Sequence, residues 1–208
     1  MPTVELLTSR SVFVNCPFND HYRAKLFPAI LFSILDCGFA PVCALDRDNS
    51  SDSRLEKILE LLSQCQLSVH DLSQVELDPA HGLPHFNMAF ELGLFFGNRA
   101  REPRRSCLIL DSDAWRYRAY LSDLSGRDIK AHSNRPDLLI QHIRNYLNVS
   151  PIPLPGPSRI HDRYQKVLVD LPRSAERAQL DPGNLSYQDL VFLIVGWQQG
   201  LPMNPSGL

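Results

Sequence analysis

One carboxylic acid, Glu91, stands in the run Leu83–Gly97 (LPHFNMAFELGLFFG) with apolar residues and glycine as its immediate neighbours. At helical spacing this segment is apolar around its circumference, and such a helix is expected to be buried. A buried carboxylate is costly unless it is paired, hydrogen-bonded or protonated, and desolvation raises its pKa. An acid held that way is a candidate catalytic group on physical grounds. Asn87 lies four residues earlier, on the same helix face, and Gly93 and Gly97 would let the helix approach the sheet or a ligand closely. Two structural readings compete with catalysis. Asn87 can be the helix N-cap while Glu91 pairs with an arginine. With Met88 as the cap, Glu91 instead falls at the third helical position and forms half of a capping box.

The elements that must position this acid alternate along the chain. Apolar runs at Ser11–Asn15, Phe39–Leu45, Leu67–Asp71, Cys107–Leu110 and Ile129–Ala131 read as short strands, with Pro41 marking the second as an edge. Helical periodicity covers His21–Asp36, Ser51–Gln64, Asn87–Gly97, Trp115–Leu124 and Arg135–Leu147. Five buried strands alternating with helices predict an α/β domain over residues 1–148, a flavodoxin-like parallel sheet of order 2-1-3-4-5. Pro151, Pro153, Pro155 and Pro157 predict a stiff linker over 149–158. Beyond it, Arg159–Leu171 and Ser186–Gln199 read as the helices of a C-terminal extension, 159–208, too short for a secure core of its own. It is expected to dock on the sheet domain, a second subunit or a partner.

In such a sheet, ligands bind beyond the carboxyl ends of the strands where strand order reverses, here between the first and third. Those ends are Asn15-Cys16-Pro17-Phe18 and His70-Asp71-Leu72-Ser73, which makes Asn15, Asp71 and Ser73 candidate ligand contacts. Cys16 reads as a packed thiol, with a nucleophilic role as the alternative.

Composition narrows the classes. The chain has 208 residues, 44% hydrophobic and 21% charged, with a formal net charge of −2. That apolar content excludes a disordered chain, and no apolar run approaches the roughly 18–20 residues that span a bilayer. Near-neutral charge offers no footprint for direct nucleic-acid or anionic-membrane binding. Five cysteines without a CxxC pair argue against a disulfide framework or a zinc site. With no signal-like N-terminus, the expectation is a soluble cytoplasmic protein. His81 and His85 have H-x3-H spacing, but Gly82 and Pro84 intervene and no metal is expected. The basic loop Arg99–Arg105 reads as a solvated connection or a grip for an acidic partner.

The segment Phe86-Asn87-Met88-Ala89-Phe90-Glu91-Leu92-Gly93 resembles the helix-borne xxxExG segment of nucleoside 2-deoxyribosyltransferases. With Val12–Phe18 and Val69–Ser73, the wider pattern over Ser11–Leu147 is similar to Toll/interleukin-receptor (TIR) domains and to TIR-like proteins of bacterial antiviral defence. Asn87 and Met88-Ala89 replace the Asp and Gly-Thr step usual before the Glu in the transferases. The resemblance implies an N-glycosidase that cleaves NAD or a related nucleotide, with no cofactor. Glu91 would stabilise or attack the sugar as positive charge develops in an oxocarbenium-like transition state. Asn87 would orient Glu91 or bind a ribose hydroxyl, and Asp71 the base or ribose. Asn15 and Phe18 would line the base side, with Pro17, Ser73 and Phe86 completing the substrate-binding set. Arg54 would hold a pyrophosphate, and the loop Asp46–Asn49 would gate the pocket. Such effectors work as homo-oligomers or with a separate sensor protein. The alternatives are a nucleoside or nucleotide hydrolase or deoxyribosyltransferase, and a non-catalytic domain that binds a nucleotide signal or another such domain.

Overall fold

The computed structural model describes residues 10–45, 53–75, 77, 81–84, 86–149 and 153–200. Strands β1 (Ser11–Asn15), β2 (Ala40–Val42), β3 (Leu67–Asp71), β4 (Ser106–Asp111) and β5 (Lys130–Ala131) form one parallel sheet in the order β2-β1-β3-β4-β5. This is the predicted flavodoxin-like α/β arrangement. The register sets Asn15 beside His70, Asp71 beside Leu110 and Asp111 beside Ala131, so the carboxyl ends of β1, β3, β4 and β5 form one polar edge.

Six helices among the described residues cover the sheet: α1 (Asp20–Asp36), α2 (Arg54–Gln64), α3 (Asn87–Arg101), α4 (Pro136–Leu147), α5 (Pro157–Arg177) and α6 (Tyr187–Gln199). Side chains of β1 alternate between faces, as the two-residue period of a strand requires. Val12 and Val14 enter a core with α1 and α4, and Phe13 packs on the other face with Ile58, Leu61, Leu62, Leu92 and Phe95 of α2 and α3. Helix α1 starts where the Asn19 side chain accepts from the Tyr22 amide at 2.8 Å. It ends at Gly38, whose φ of +79° suits a residue without Cβ. A capping box between Ser53 and Glu56 opens α2 and sets Arg54 as its first residue.

Among the docking options for the C-terminal helices, the structure shows the sheet domain. Ile160, Tyr164 and Val167 of α5 and Tyr187, Leu190 and Ile194 of α6 belong to the same core as α1 and α4. The Tyr164 hydroxyl donates to the Lys25 carbonyl at 2.7 Å and the Tyr187 hydroxyl to the Pro41 carbonyl at 2.5 Å. Arg144 donates to the carbonyls of Leu154 and Pro155, fastening the end of the linker to α4. Because Tyr164 is fully buried, Tyr164→Ala is expected to cost about 3–5 kcal/mol through the cavity it leaves, read as a lower urea midpoint with an unchanged slope.

Several predicted boundaries move. Helix α5 begins at Pro157, inside the predicted linker, because proline at the first helical position has no amide to leave unsatisfied. It passes through Pro172 and continues to Arg177, since the buried Ala175 packs against Leu193 of α6. The predicted helix Trp115–Leu124 is instead two 3-10 turns, Arg116–Ala119 and Ser122–Leu124. Arg116 and Tyr120 reach back to Asp111 and fold this segment onto the sheet edge. Strand β2 keeps only three residues of Phe39–Leu45. Helix α3 is not buried all round: Glu91, Leu92 and Phe95 face inward, whereas Phe90 is 56% exposed. Its inward face packs with α2, the sheet and the segment after β4, where Arg127 lies over the Phe96 ring.

Candidate functional site

A cavity of about 340 Å³ opens beyond the carboxyl end of β1, walled by Asn15, Cys16 and Phe18, by Arg54, and by Asn87, Met88 and Glu91 of α3. Helix α3 enters it without a side-chain cap. Phe86 precedes the helix with helical backbone angles, so neither capping alternative, Asn87 as N-cap or Glu91 in a capping box, describes the helix start. The Asn87 amide has no partner among the described residues and lines the cavity. Gly93 and Gly97 lie on the exposed side with open space around them, so the close approach expected of them is not made.

Glu91 has a side chain only 6% exposed. Burial raises its pKa, and the guanidinium of Arg54, with Nη2 3.4 Å from Oε1, offsets only part of that rise. Arg54 itself is 57% exposed at the cavity mouth. The pair is therefore a solvated contact that a ligand can displace, not a core salt bridge.

Asn15 is buried and fixes the geometry around Glu91. Its Nδ2 donates to the Met88 carbonyl at 2.9 Å and to His70 Nδ1 at 3.1 Å. Met88 O can only accept, which identifies the amide nitrogen and leaves the carbonyl oxygen of Asn15 for a ligand donor. Burial lowers the His70 pKa to about 3, so His70 is neutral, with Nε2 3.1 Å from Ser68 Oγ. The first turn of α3 is thereby tied to β1 and β3. Cys16 is buried, and burial with the nearby Asp71, Cys43 and Glu91 raises its thiol pKa well above the ordinary range. It is a packed, protonated thiol and not a nucleophile.

Two smaller cavities adjoin the first. One of about 170 Å³ is lined mainly by polar residues, among them Asn19, Ser73 and Asn134, with Pro17 beside them. The other, about 70 Å³, is largely apolar, with Leu72, Val75, Phe86, Tyr120 and Leu121 among its walls. Glu91, Asn87, Asn15, Arg54 and Phe18 thus share the main cavity, Pro17 and Ser73 line the polar one, and Phe86 lines the apolar one. The loop Asp46–Asn49 lies outside the described residues.

Asp71 lines none of the three. Its carboxylate is fully buried and accepts from the Tyr22 hydroxyl, the Ser73 hydroxyl, the Ser73 amide at 2.9 Å and His132 Nε2 at 3.0 Å. Burial alone would raise its pKa, but His132, Ser73 and Tyr22 together hold it below the ordinary carboxylate value. His132 Nδ1 accepts from the Asn134 amide at 3.1 Å, so its proton sits on Nε2 and points at Asp71. This arrangement staples α1, β3 and the loop after β5. Asp111 is held in the same way by Arg116 Nη2 at 2.6 Å and the Tyr120 hydroxyl at 2.7 Å.

Sequence reasoning passed over Gln74, which lines all three cavities, and His132. Gln74 follows Ser73 in a loop already singled out, and that adjacency was the available signal. In the basic loop, Arg105 is buried and donates to the carbonyls of Leu62 and Ser63 at the end of α2, a helix-capping role. Among the described residues no group of three or more His, Cys, Asp or Glu side chains is placed to hold a metal ion, and His85 lies outside them. No helix among them is long and apolar enough to cross a membrane. No protein-family model matches the chain, and no curated protein matches it either.

Proposed function

We propose that the protein is an N-glycosidase that cleaves the glycosidic bond of NAD or a related nucleotide, with Glu91 as its catalytic carboxylate. The observation that carries this reading is one shielded acid in a cavity at the point where strand order reverses. It is surrounded there by side chains whose polar groups do not all have partners among the described residues: the amide of Asn87, the carbonyl oxygen of Asn15 and the exposed Arg54. As the C1′–N bond of NAD breaks, its electron pair leaves with nicotinamide and positive charge builds on the ribose. Glu91 stabilises that charge, water oxygen then bonds to C1′, and the water proton is released. Asn15 and Asn87 supply hydrogen-bonding groups for ribose hydroxyls, and Arg54 a cation for phosphate. Asp71 acts at one remove, by holding the strand ends together.

The resemblance to TIR-like proteins and deoxyribosyltransferases supports glycosidic chemistry, and with it a role as an antiviral-defence effector acting in an assembly or with a separate sensor. Incubating concentrated and dilute protein with NAD, nucleosides and deoxynucleotides, with chromatography of the products, tests this reading and identifies the substrate. Absence of base release from every compound at every concentration would overturn it. Arg54 also makes a pH prediction. Arg54 offsets the effect of burial on Glu91, so Arg54→Ala raises that pKa further. The acid limb of the pH–rate profile for base release is then expected to move to higher pH.

A further inference from the structure

We infer that Gln74 is the specificity-determining residue that reads the edge of the ligand's base, and that this base presents a hydrogen-bond donor beside an acceptor. The N-glycosidase reading supplies the placement of the sugar over Glu91. Gln74 stands in the loop after β3, half-buried, and is common to the main, polar and apolar cavities. Its side-chain amide has no hydrogen-bond partner among the described residues. A partly buried amide without a partner forfeits hydrogen bonds that a ligand can restore.

The apolar cavity shares Gln74 and Met88 with the Glu91 cavity, so a group attached to a sugar over Glu91 reaches it past these two side chains. Its walls of Phe86, Leu72, Val75 and Leu121 suit the face of a flat heteroaromatic ring, and at about 70 Å³ the cavity takes the ring's edge while the rest lies beside Gln74 and Met88 in the main cavity. Besides Gln74, the only polar side chain among the described residues of that wall is Tyr120. The Tyr120 hydroxyl is already committed to Asp111 at 2.7 Å, with the Leu72 carbonyl at 3.3 Å. Among the described residues, Gln74 is therefore the side chain left to discriminate one flat ring from another. A primary amide presents N–H and C=O side by side, which matches a carboxamide or the amino edge of a 6-aminopurine in a two-bond pairing.

The test uses full-length Glu91→Gln protein, in which the ligand stays intact, titrated calorimetrically with two pairs of probes. NAD is compared with its deamido counterpart, in which the carboxamide is a carboxylate, and adenosine monophosphate with purine riboside monophosphate, which lacks the 6-amino donor. Preference for the amide- or amino-bearing member of at least one pair is expected, by about tenfold. Adding Gln74→Leu, which removes the amide at similar volume, is expected to bring that ratio within about twofold while leaving the melting temperature in place. The pair that discriminates identifies the base. A preference that survives Gln74→Leu, no preference in either pair, or no binding of any probe would overturn the inference. Base release by the protein with native Glu91, assayed in parallel, keeps the two proposals apart. Gln74-dependent preference without base release defeats the glycosidase reading alone, and Glu91-dependent release with a Gln74-independent preference defeats this inference alone.

Discussion

Asp71→Ala is expected to cost about 3–5 kcal/mol of folding stability, the range for removing one partner from a buried charged cluster. For a chain of this size that is a drop of roughly 6–20 °C in melting temperature. The carboxylate is the common acceptor for Tyr22, Ser73 and His132, all of them buried. Its loss leaves their buried donors without the acceptor they share. The effect depends on pH in a defined direction. Tyr22, Ser73 and His132 hold the folded pKa of Asp71 below the ordinary value despite burial. Its stabilisation is therefore fully present above the unfolded carboxylate range near 4 and is lost as pH falls through the folded value. Denaturant titrations of the native protein and Asp71→Asn at neutral pH and near pH 3 check this. The gap between them is expected to narrow in acid.

Glu91→Gln is expected to behave in the opposite way. Base release is expected to fall on the order of 10³-fold or more, as when a group aimed at transition-state charge is removed. Stability is expected to hold or rise. Burial raises the folded pKa of Glu91 above its unfolded value, with Arg54 offsetting part of the rise. Between those two values the folded state binds more protons than the unfolded state, so stability falls as pH increases through the window. Above the unfolded value the Glu91 carboxyl therefore opposes folding, and a neutral glutamine relieves it. The measurement is a thermal melt of both proteins at neutral pH beside the activity assay. A structural Glu91 would lower the melting temperature on substitution, whereas a catalytic one lowers only the rate. These two buried acids, one stabilising and one destabilising, separate scaffold from site.

The alternation of strands and helices was readable from the sequence because it follows from local signals: short apolar runs, each closed by a polar residue or a turn, with helical periodicity between them. Tertiary contacts account for most of what was not readable. Asp71 ends a strand like a ligand-binding residue, yet it is consumed by Tyr22, 49 positions earlier, and by His132, from a different strand end. Nothing local announces either partner. The segment after β4 carries helical periodicity, but Asp111 draws Arg116 and Tyr120 onto the sheet edge and breaks the helix into 3-10 turns. Pro172 reads as a stop, yet the buried Ala175 beyond it keeps α5 going. Glu91 was visible because a lone acid among apolar residues is a local anomaly. Gln74 was not, because its distinction is an amide without a partner among the described residues, at the meeting of three cavities.

The most direct measurement is the rate of nicotinamide release from NAD by the native protein and by Glu91→Gln, at equal concentration and with matching circular dichroism spectra. Release by the native protein that is lost in the folded variant is the predicted result. Equal release by both proteins would contradict the assignment of the chemistry to Glu91.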